Sequence, residues 1–100
     1  MKTINHLKHG GKMYVIVTYD ISDDKRLNKV RKTLKKYLYW CQLSTFEGEI
    51  SEGKLAKCKS EVLNIIDTKE DSIYFFEVQN PKNINKKVIG IEKNYMDNFL

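Results

Sequence analysis

Hydrophobic and polar positions alternate along the chain in a way that predicts six elements. Met13-Tyr-Val-Ile-Val-Thr-Tyr-Asp20 is a run rich in β-branched and aromatic residues. Both of its faces are largely apolar, which suits a central strand covered on both sides. The run stops at Asp20, and Ser22-Asp23-Asp24 supply a helix cap and an acidic first turn. From about Asp24 to Leu38, the positions Leu27, Val30, Leu34, Tyr37 and Leu38 are spaced 3, 4, 3 and 1 apart. That spacing lines one side of a helix. Trp40 to Ile50 reads as a strand, with Leu43 and Thr45 on one face and Ser44 and Phe46 on the other; its polarity suggests an edge. Ser51 caps a second helix running to about Asp67, whose Leu55, Cys58, Val62, Ile65 and Ile66 repeat the spacing of the first. Ser72-Ile-Tyr-Phe-Phe-Glu-Val78 is a second strand apolar on both faces, ended by Asn80-Pro81. Lys87-Val-Ile-Gly-Ile91 predicts a short last strand.

These elements point to an α+β fold of βαββαβ order with an antiparallel sheet, the ferredoxin-like arrangement. That arrangement centres the first and third strands, and the two apolar strands, Met13–Asp20 and Ser72–Val78, are expected there. Both helices then lie on one face of the sheet. Tyr14, Ile16, Tyr74 and Phe76 make the other face apolar as well. A second copy of the chain is the simplest cover for it, in a two-fold homodimer.

Composition adds limits. One hundred residues, 41% of them hydrophobic, make one domain with a modest core. A chain this short buries a small share of its surface, so a second subunit would help its stability. No apolar run approaches the ~18 residues of a membrane span, and no apolar segment near the start resembles a secretory signal. Cys41 and Cys58 match no metal-binding spacing and read as reduced, buried thiols of a cytoplasmic protein. Residues 1–12 lack a regular apolar pattern and contain the flexible pair Gly10-Gly11; they read as an extension before a single domain spanning 13–100. Lys2, Lys8 and Lys12 contribute +3 of the net +5, leaving +2 from Met13 to Leu100. A basic patch on the domain must therefore come from segregated charge.

The first helix shows such segregation. Lys25, Lys29, Lys32 and Lys36 oppose the apolar stripe, and Arg26, Arg31 and Lys35 flank it. This face suits phosphate contacts, or it is a solvated face. Asp20 is the second candidate. A carboxylate ending a central strand sits at the sheet rim, where magnesium is held by few protein ligands and several waters. A pair of such carboxylates from two subunits would repel one another and seek a cation. The alternative is a turn-capping role. Asp23 and Asp24 are cap and dipole partners first. His6 and His9 lie in the extension, so an imidazole general base is not expected in the domain. No phosphate-binding loop, dinucleotide fingerprint or zinc spacing appears. Trp40, Phe46 and the tyrosines are expected to pack in the core or between subunits rather than stack on bases.

Tyr14-Val-Ile-Val-Thr-Tyr-Asp20-Ile-Ser-Asp-Asp-Lys-Arg26 resembles the opening of the small CRISPR-associated adaptation endonucleases. Gln42-Leu-Ser44-Thr-Phe46-Glu47-Gly48 is similar to that family's second-strand signature, and Gly90-Ile-Glu-Lys-Asn94 to the end of one subgroup. The resemblance spans Met13 to Leu100. It implies a ferredoxin-like homodimer in which Asp20 of each subunit serves a shared Mg2+ or Mn2+ site. It implies metal-dependent cleavage of single-stranded RNA or double-stranded DNA. It also implies an adaptor role, binding DNA and the CRISPR integrase during spacer acquisition, for which cleavage is dispensable. Asp20 is then the catalytic and metal-binding residue. Lys25, Arg26, Lys29, Arg31 and Lys32 are the nucleic-acid contacts, and Tyr19, Ser44 and Phe46 are motif positions assigned to strand geometry and dimer packing. Trp40 and Cys41 stand where some relatives carry an arginine, and Lys25, Arg26 and Lys29 replace a run of arginines. Lysine lacks the planar fork of arginine. The competing readings are a purely structural adaptor and a toxin-type ribonuclease of the same fold.

Overall fold

The computed structural model describes residues 11–93. The chain forms β1 (Lys12–Asp20), α1 (Asp24–Lys35), β2 (Tyr39–Gln42), β3 (Thr45–Ser51), α2 (Glu52–Leu63) and β4 (Ser72–Val78), followed by a 3-10 turn at Pro81–Asn83. The four strands make one antiparallel sheet of order β2-β3-β1-β4. The βαββαβ order and ferredoxin-like architecture are as expected, with three differences in which segment plays which part.

First, the expected strand from Trp40 to Ile50 is two strands. The chain reverses at Leu43-Ser44, where Leu43 adopts a left-handed φ of 39° and its carbonyl accepts a hydrogen bond from Trp40 Nε1 at 3.0 Å. A register irregularity between Trp40 and Gln42 accompanies the turn. Second, the central partner of β1 is therefore β3. Ser72–Val78 forms the edge instead, leaving Tyr74 60% and Phe76 52% exposed. Third, residues 87–91 form no strand. They pass over the sheet without pairing to it, and Val88, Ile89 and Ile91 are exposed.

Side-chain alternation divides the sheet. Met13, Val15, Val17 and Tyr19 of β1 and Phe46 and Ile50 of β3 are buried against the helices. Val30 and Leu34 of α1 and Leu55, Cys58 and Val62 of α2 complete that core. Tyr14, Ile16, Thr18 and Asp20 point to the opposite face. Both helices therefore cover one side, as the pattern predicts.

Asp23 caps α1 by accepting from the Arg26 N–H at 3.0 Å, and Ser51 caps α2 through the Lys54 N–H at 3.3 Å. Both helices stop short of the periodic pattern. Past Lys35 the bonds tighten, with Tyr37 N–H donating to the Leu34 carbonyl at 3.0 Å, so Tyr37 and Leu38 still pack on the core from a turn. Ile65 and Ile66 do the same after α2 through the Val62 carbonyl. Gly48 is buried with φ 153°, and a Cβ there would meet side-chain atoms of Tyr39 at 3.4 Å and Leu38 at 3.5 Å. β1 begins at Lys12, which pairs with Ser51, one residue ahead of the expected start. Residues 1–10, with His6 and His9, and 94–100, with Asn94, lie outside the described residues.

Candidate functional site

Asp20 ends β1 at the rim of the sheet and is exposed. Its strand pairing is complete on the β4 side, where it faces Ser72. On the β3 side the Tyr19 N–H donates to the Ser44 carbonyl at 3.1 Å. The two sequence motifs thus meet at this rim: Tyr19 beside Ser44, and Val17 paired with Phe46. Among the described residues, no hydrogen bond or ion pair engages the Asp20 carboxylate. Nor is there any cluster of three or more histidine, cysteine, aspartate and glutamate side chains suited to a metal. The described residues of one chain therefore offer one open carboxylate at this place.

Tyr19 and Phe46 face the helices, with ring centroids 6.2 Å apart. Phe46 is fully buried, so it serves the chain's own core and is not available for packing between subunits. Ser44 lies in the exposed β2–β3 turn rather than in a strand.

Lys25, Lys29 and Lys32 project from the exposed face of α1, and no ion pair engages them among the described residues. Arg31 is half-buried and, with Asn28, Lys32 and Lys35, lines a shallow depression of about 240 Å³. Its Nε is buried without a hydrogen-bond partner among the described residues. Lys36 pairs instead with Glu61 at 2.6 Å. Arg26 also departs from the expected cationic face. Its Nε donates to Asp71 Oδ2 at 2.7 Å and its Nη2 to Asp71 Oδ1 at 3.2 Å. The Arg26 guanidinium holds the Asp71 carboxyl well below the usual carboxylate range, outweighing the opposing effect of burial.

Asp71 carried no sequence signal: it stands in the polar run Lys69-Glu70-Asp71, as any loop acid does. A second missed group lies on the uncovered sheet face. Glu47, nearly buried, accepts a hydrogen bond from Lys86 in the segment after the last strand. The Tyr14 hydroxyl and the Cys41 thiol also neighbour it and favour its charged form. Burial raises the Glu47 pKa, but Lys86 and Tyr14 outweigh it and leave the carboxyl below its ordinary value. Burial, reinforced by the Glu47 charge, pushes the Tyr14 hydroxyl up to about 12. Glu47 stands inside the Phe46-Glu47-Gly48 motif, which was the available signal, but its partner 39 residues on was not. Ile16, Cys41, Thr45, Glu47, Lys86 and Ile91 border a cavity of about 380 Å³ between sheet and segment. Cys41 is accordingly half-buried on this face, while Cys58 is buried in the core, and both are free thiols.

Among the described residues, no helix is long and apolar enough to cross a membrane. The family model "CRISPR associated protein Cas2" matches residues 13–86. A protein of Thermodesulfovibrio yellowstonii named CRISPR-associated endoribonuclease Cas2 3 is 56% identical over 87 residues, covering 87% of this chain and 98% of that one. A CRISPR-associated endoribonuclease Cas2 of Thermotoga maritima is 47% identical, covering 81% and 92%. A crystal structure of a Cas2 protein superimposes with a TM-score of 0.72 at 39% identity, over 82% of this chain and 91% of that one. Streptococcus pyogenes Cas2, solved at pH 6.5, gives 0.60 at 31% identity over 86% and 94%. Strand order, motif placement and these similarities agree: the chain belongs to the Cas2 family of CRISPR-associated proteins.

Proposed function

We propose that the protein works as a two-fold homodimer in the cytoplasm, acting in CRISPR adaptation as a nucleic-acid-binding adaptor to the integrase and as a metal-dependent endonuclease on RNA or double-stranded DNA. One observation carries the reading: Asp20 is an exposed, unengaged carboxylate on the sheet face that α1 and α2 leave uncovered. That face also exposes Tyr74 and Phe76, whose rings stack with centroids 6.2 Å apart. Apolar rings in such a position favour a partner surface, and a second copy related by a two-fold axis would bring a second Asp20 toward the first. The segment carrying Val88, Ile89 and Ile91, unpaired in its own sheet, offers a strand to that copy's edge.

The donor set fits Mg2+ or Mn2+. Magnesium is held through one or two carboxylates and keeps several waters. Two Asp20 side chains supply that, whereas the described residues of one chain alone offer no cage. When bound, the ion would supply an activated water and charge neutralisation at the scissile phosphate. The chain's own residues do the rest. Asp20 anchors the reacting centre, and Lys25, Lys29, Lys32 and Arg31 hold phosphates along α1 by charge. These cations do not depend on Asp20, and that independence supports the adaptor reading without cleavage as the alternative.

The test is cleavage of labelled single-stranded RNA and double-stranded DNA with magnesium or with a chelator, for wild type and Asp20→Asn. The expected result is cutting that needs the metal and disappears in the variant while DNA binding remains. Binding without cutting of either substrate leaves the adaptor alone.

A further inference from the structure

Asp71 is the one acid of the described chain whose side chain is wholly buried in an ion pair, and it lies next to the reacting centre in the fold. It immediately precedes Ser72, the residue that pairs with Asp20 across the β1–β4 ladder. Its carboxylate gathers Ser22, Arg26 and Asp67 at the exit from β1. Oδ1 accepts from the Ser22 N–H at 2.9 Å, the Ser22 hydroxyl at 3.2 Å and Arg26 Nη2 at 3.2 Å. Oδ2 accepts from Arg26 Nε at 2.7 Å and the Asp67 N–H at 2.9 Å. Arg26 Nη2 reaches the Ser22 hydroxyl at 3.2 Å and Glu70 at 3.4 Å as well.

The consequence concerns Asp20. Its own carboxylate has no partner within the described chain, so only the backbone aims it. Upstream, that backbone is fixed by the ladder and by the Tyr19–Ser44 bond. Downstream, it enters an irregular turn, Ile21-Ser22-Asp23, before α1 begins. Without a tether this turn would be the loose side of Asp20. Asp71 tethers it, joining Ser22 and the first turn of α1 to the start of the strand on which Asp20 is paired. Groups that orient a reacting side chain from behind commonly contribute about 10-fold to 100-fold to its function.

We propose that Asp71, gripped by the Arg26 fork, is a positioning residue for the Asp20-centred reaction, and that Arg26 serves this clamp rather than a nucleic-acid phosphate. The proposal rests on the reading of Asp20 as the reacting centre. Asp71→Asn keeps the volume of the side chain but puts an amide donor where one oxygen accepted from two N–H groups. The turn loosens while the exposed lysines of α1 stay in place.

The experiment measures kcat and KM for cleavage, the magnesium concentration at half-maximal rate, and DNA affinity at two salt concentrations. It compares wild type, Asp20→Asn, Asp71→Asn and Arg26→Lys well below their melting temperatures. The clamp predicts a kcat for Asp71→Asn lowered about 10-fold to 100-fold, with a raised magnesium requirement and with KM and DNA affinity within about two-fold of wild type. Arg26→Lys keeps the charge but loses the fork. It should lose kcat in the same sense and bind DNA like wild type, and it carries the test if Asp71→Asn does not fold. If wild type cuts and Asp20→Asn does not, yet both clamp variants keep the wild-type kcat, the positioning role is wrong while the Asp20 reading stands. A clamp variant that loses DNA affinity with kcat intact makes Arg26 a phosphate contact and overturns the proposal equally. Absence of metal-dependent cutting by wild type removes the Asp20 reading and the clamp's catalytic role together.

Discussion

Lys86 donates to the carboxylate of Glu47, 39 residues earlier in the chain, and so pins the segment after β4 onto the sheet face that the helices leave open. Glu47 is nearly buried there, and the neighbouring Tyr14 and Cys41 side chains favour its charged form. The pair decides where the exposed apolar residues Val88, Ile89 and Ile91 begin, and hence what the proposed second copy would meet.

Removing Glu47 charge tests this pin. Glu47→Gln should cost about 1–2 kcal/mol, well under the value for a fully buried pair, because the Lys86 side chain is 34% exposed and solvent screens it. The pH dependence has a definite sign. The folded Glu47 pKa lies below its ordinary value, so its contribution is fully present above about pH 4.3 and is lost as pH falls through the lower folded value. The Lys86 pKa is raised, chiefly by the bond to Glu47, so its contribution persists through neutral pH and is lost only in strong alkali. The stability difference between wild type and Glu47→Gln should therefore be flat around neutrality and shrink in acid. Urea melts at several pH values measure it, and a difference that grows in acid would contradict the assignment.

Phe46 belongs to the core. It is fully buried, against Tyr19 and under both helices. Phe46→Ala should destabilise by about 3–5 kcal/mol in chemical denaturation. If the loss appears only as weaker dimerisation, with the folded chain as stable as before, Phe46 is an interface residue instead.

Gly48 is held at φ 153°, a conformation that L side chains rarely adopt, although a Cβ there would make only ordinary contact with Tyr39 and Leu38. Gly48→Ala should cost about 1–3 kcal/mol and show it in thermal melts, with β2 loosened from β3.

The sequence displayed the elements better than their neighbours. The two helices, the strands Met13–Asp20 and Ser72–Val78 and the single helical layer followed from the apolar spacing, because a helix face and a strand face are local properties. The segments so read ran strand, helix, strand, helix, strand, strand, and match the βαββαβ order only once Trp40–Ile50 divides into β2 and β3 and residues 87–91 leave the sheet. The β2–β3 turn did not, since Leu43-Ser44 lacks the glycine or asparagine that marks a two-residue hairpin. One missed turn exchanged the roles of two segments. Ser72–Val78, apolar on both faces, looked central but is the edge, its second apolar face exposed as Tyr74 and Phe76. An apolar face shows that a surface is covered, without showing whether the cover is the same chain. At the candidate site, Asp20 was visible because a lone acid closes an apolar strand. Asp71 and Lys86 were not, because their partners, Arg26 and Glu47, are 45 and 39 residues away.

The exposed lysines of α1 give a separate prediction for DNA binding. Replacing Lys25, Lys29 and Lys32 with glutamine should weaken binding irrespective of sequence and lower the slope of log affinity against log salt by about one per lysine that contacts a phosphate. Fluorescence anisotropy at several salt concentrations reads both. An unchanged slope would show that this face stays in solvent.

The proposed function turns on two Asp20 carboxylates, one from each subunit, forming one reacting centre. Mixing wild-type and Asp20→Asn chains to subunit-exchange equilibrium, at constant total protein, tests it most directly through the magnesium-dependent cleavage rate. If both carboxylates are needed, the rate follows the square of the wild-type fraction, so an equal mixture keeps about a quarter of the activity. A rate that falls in simple proportion, keeping about half, would mean that each Asp20 works alone and would contradict the shared site.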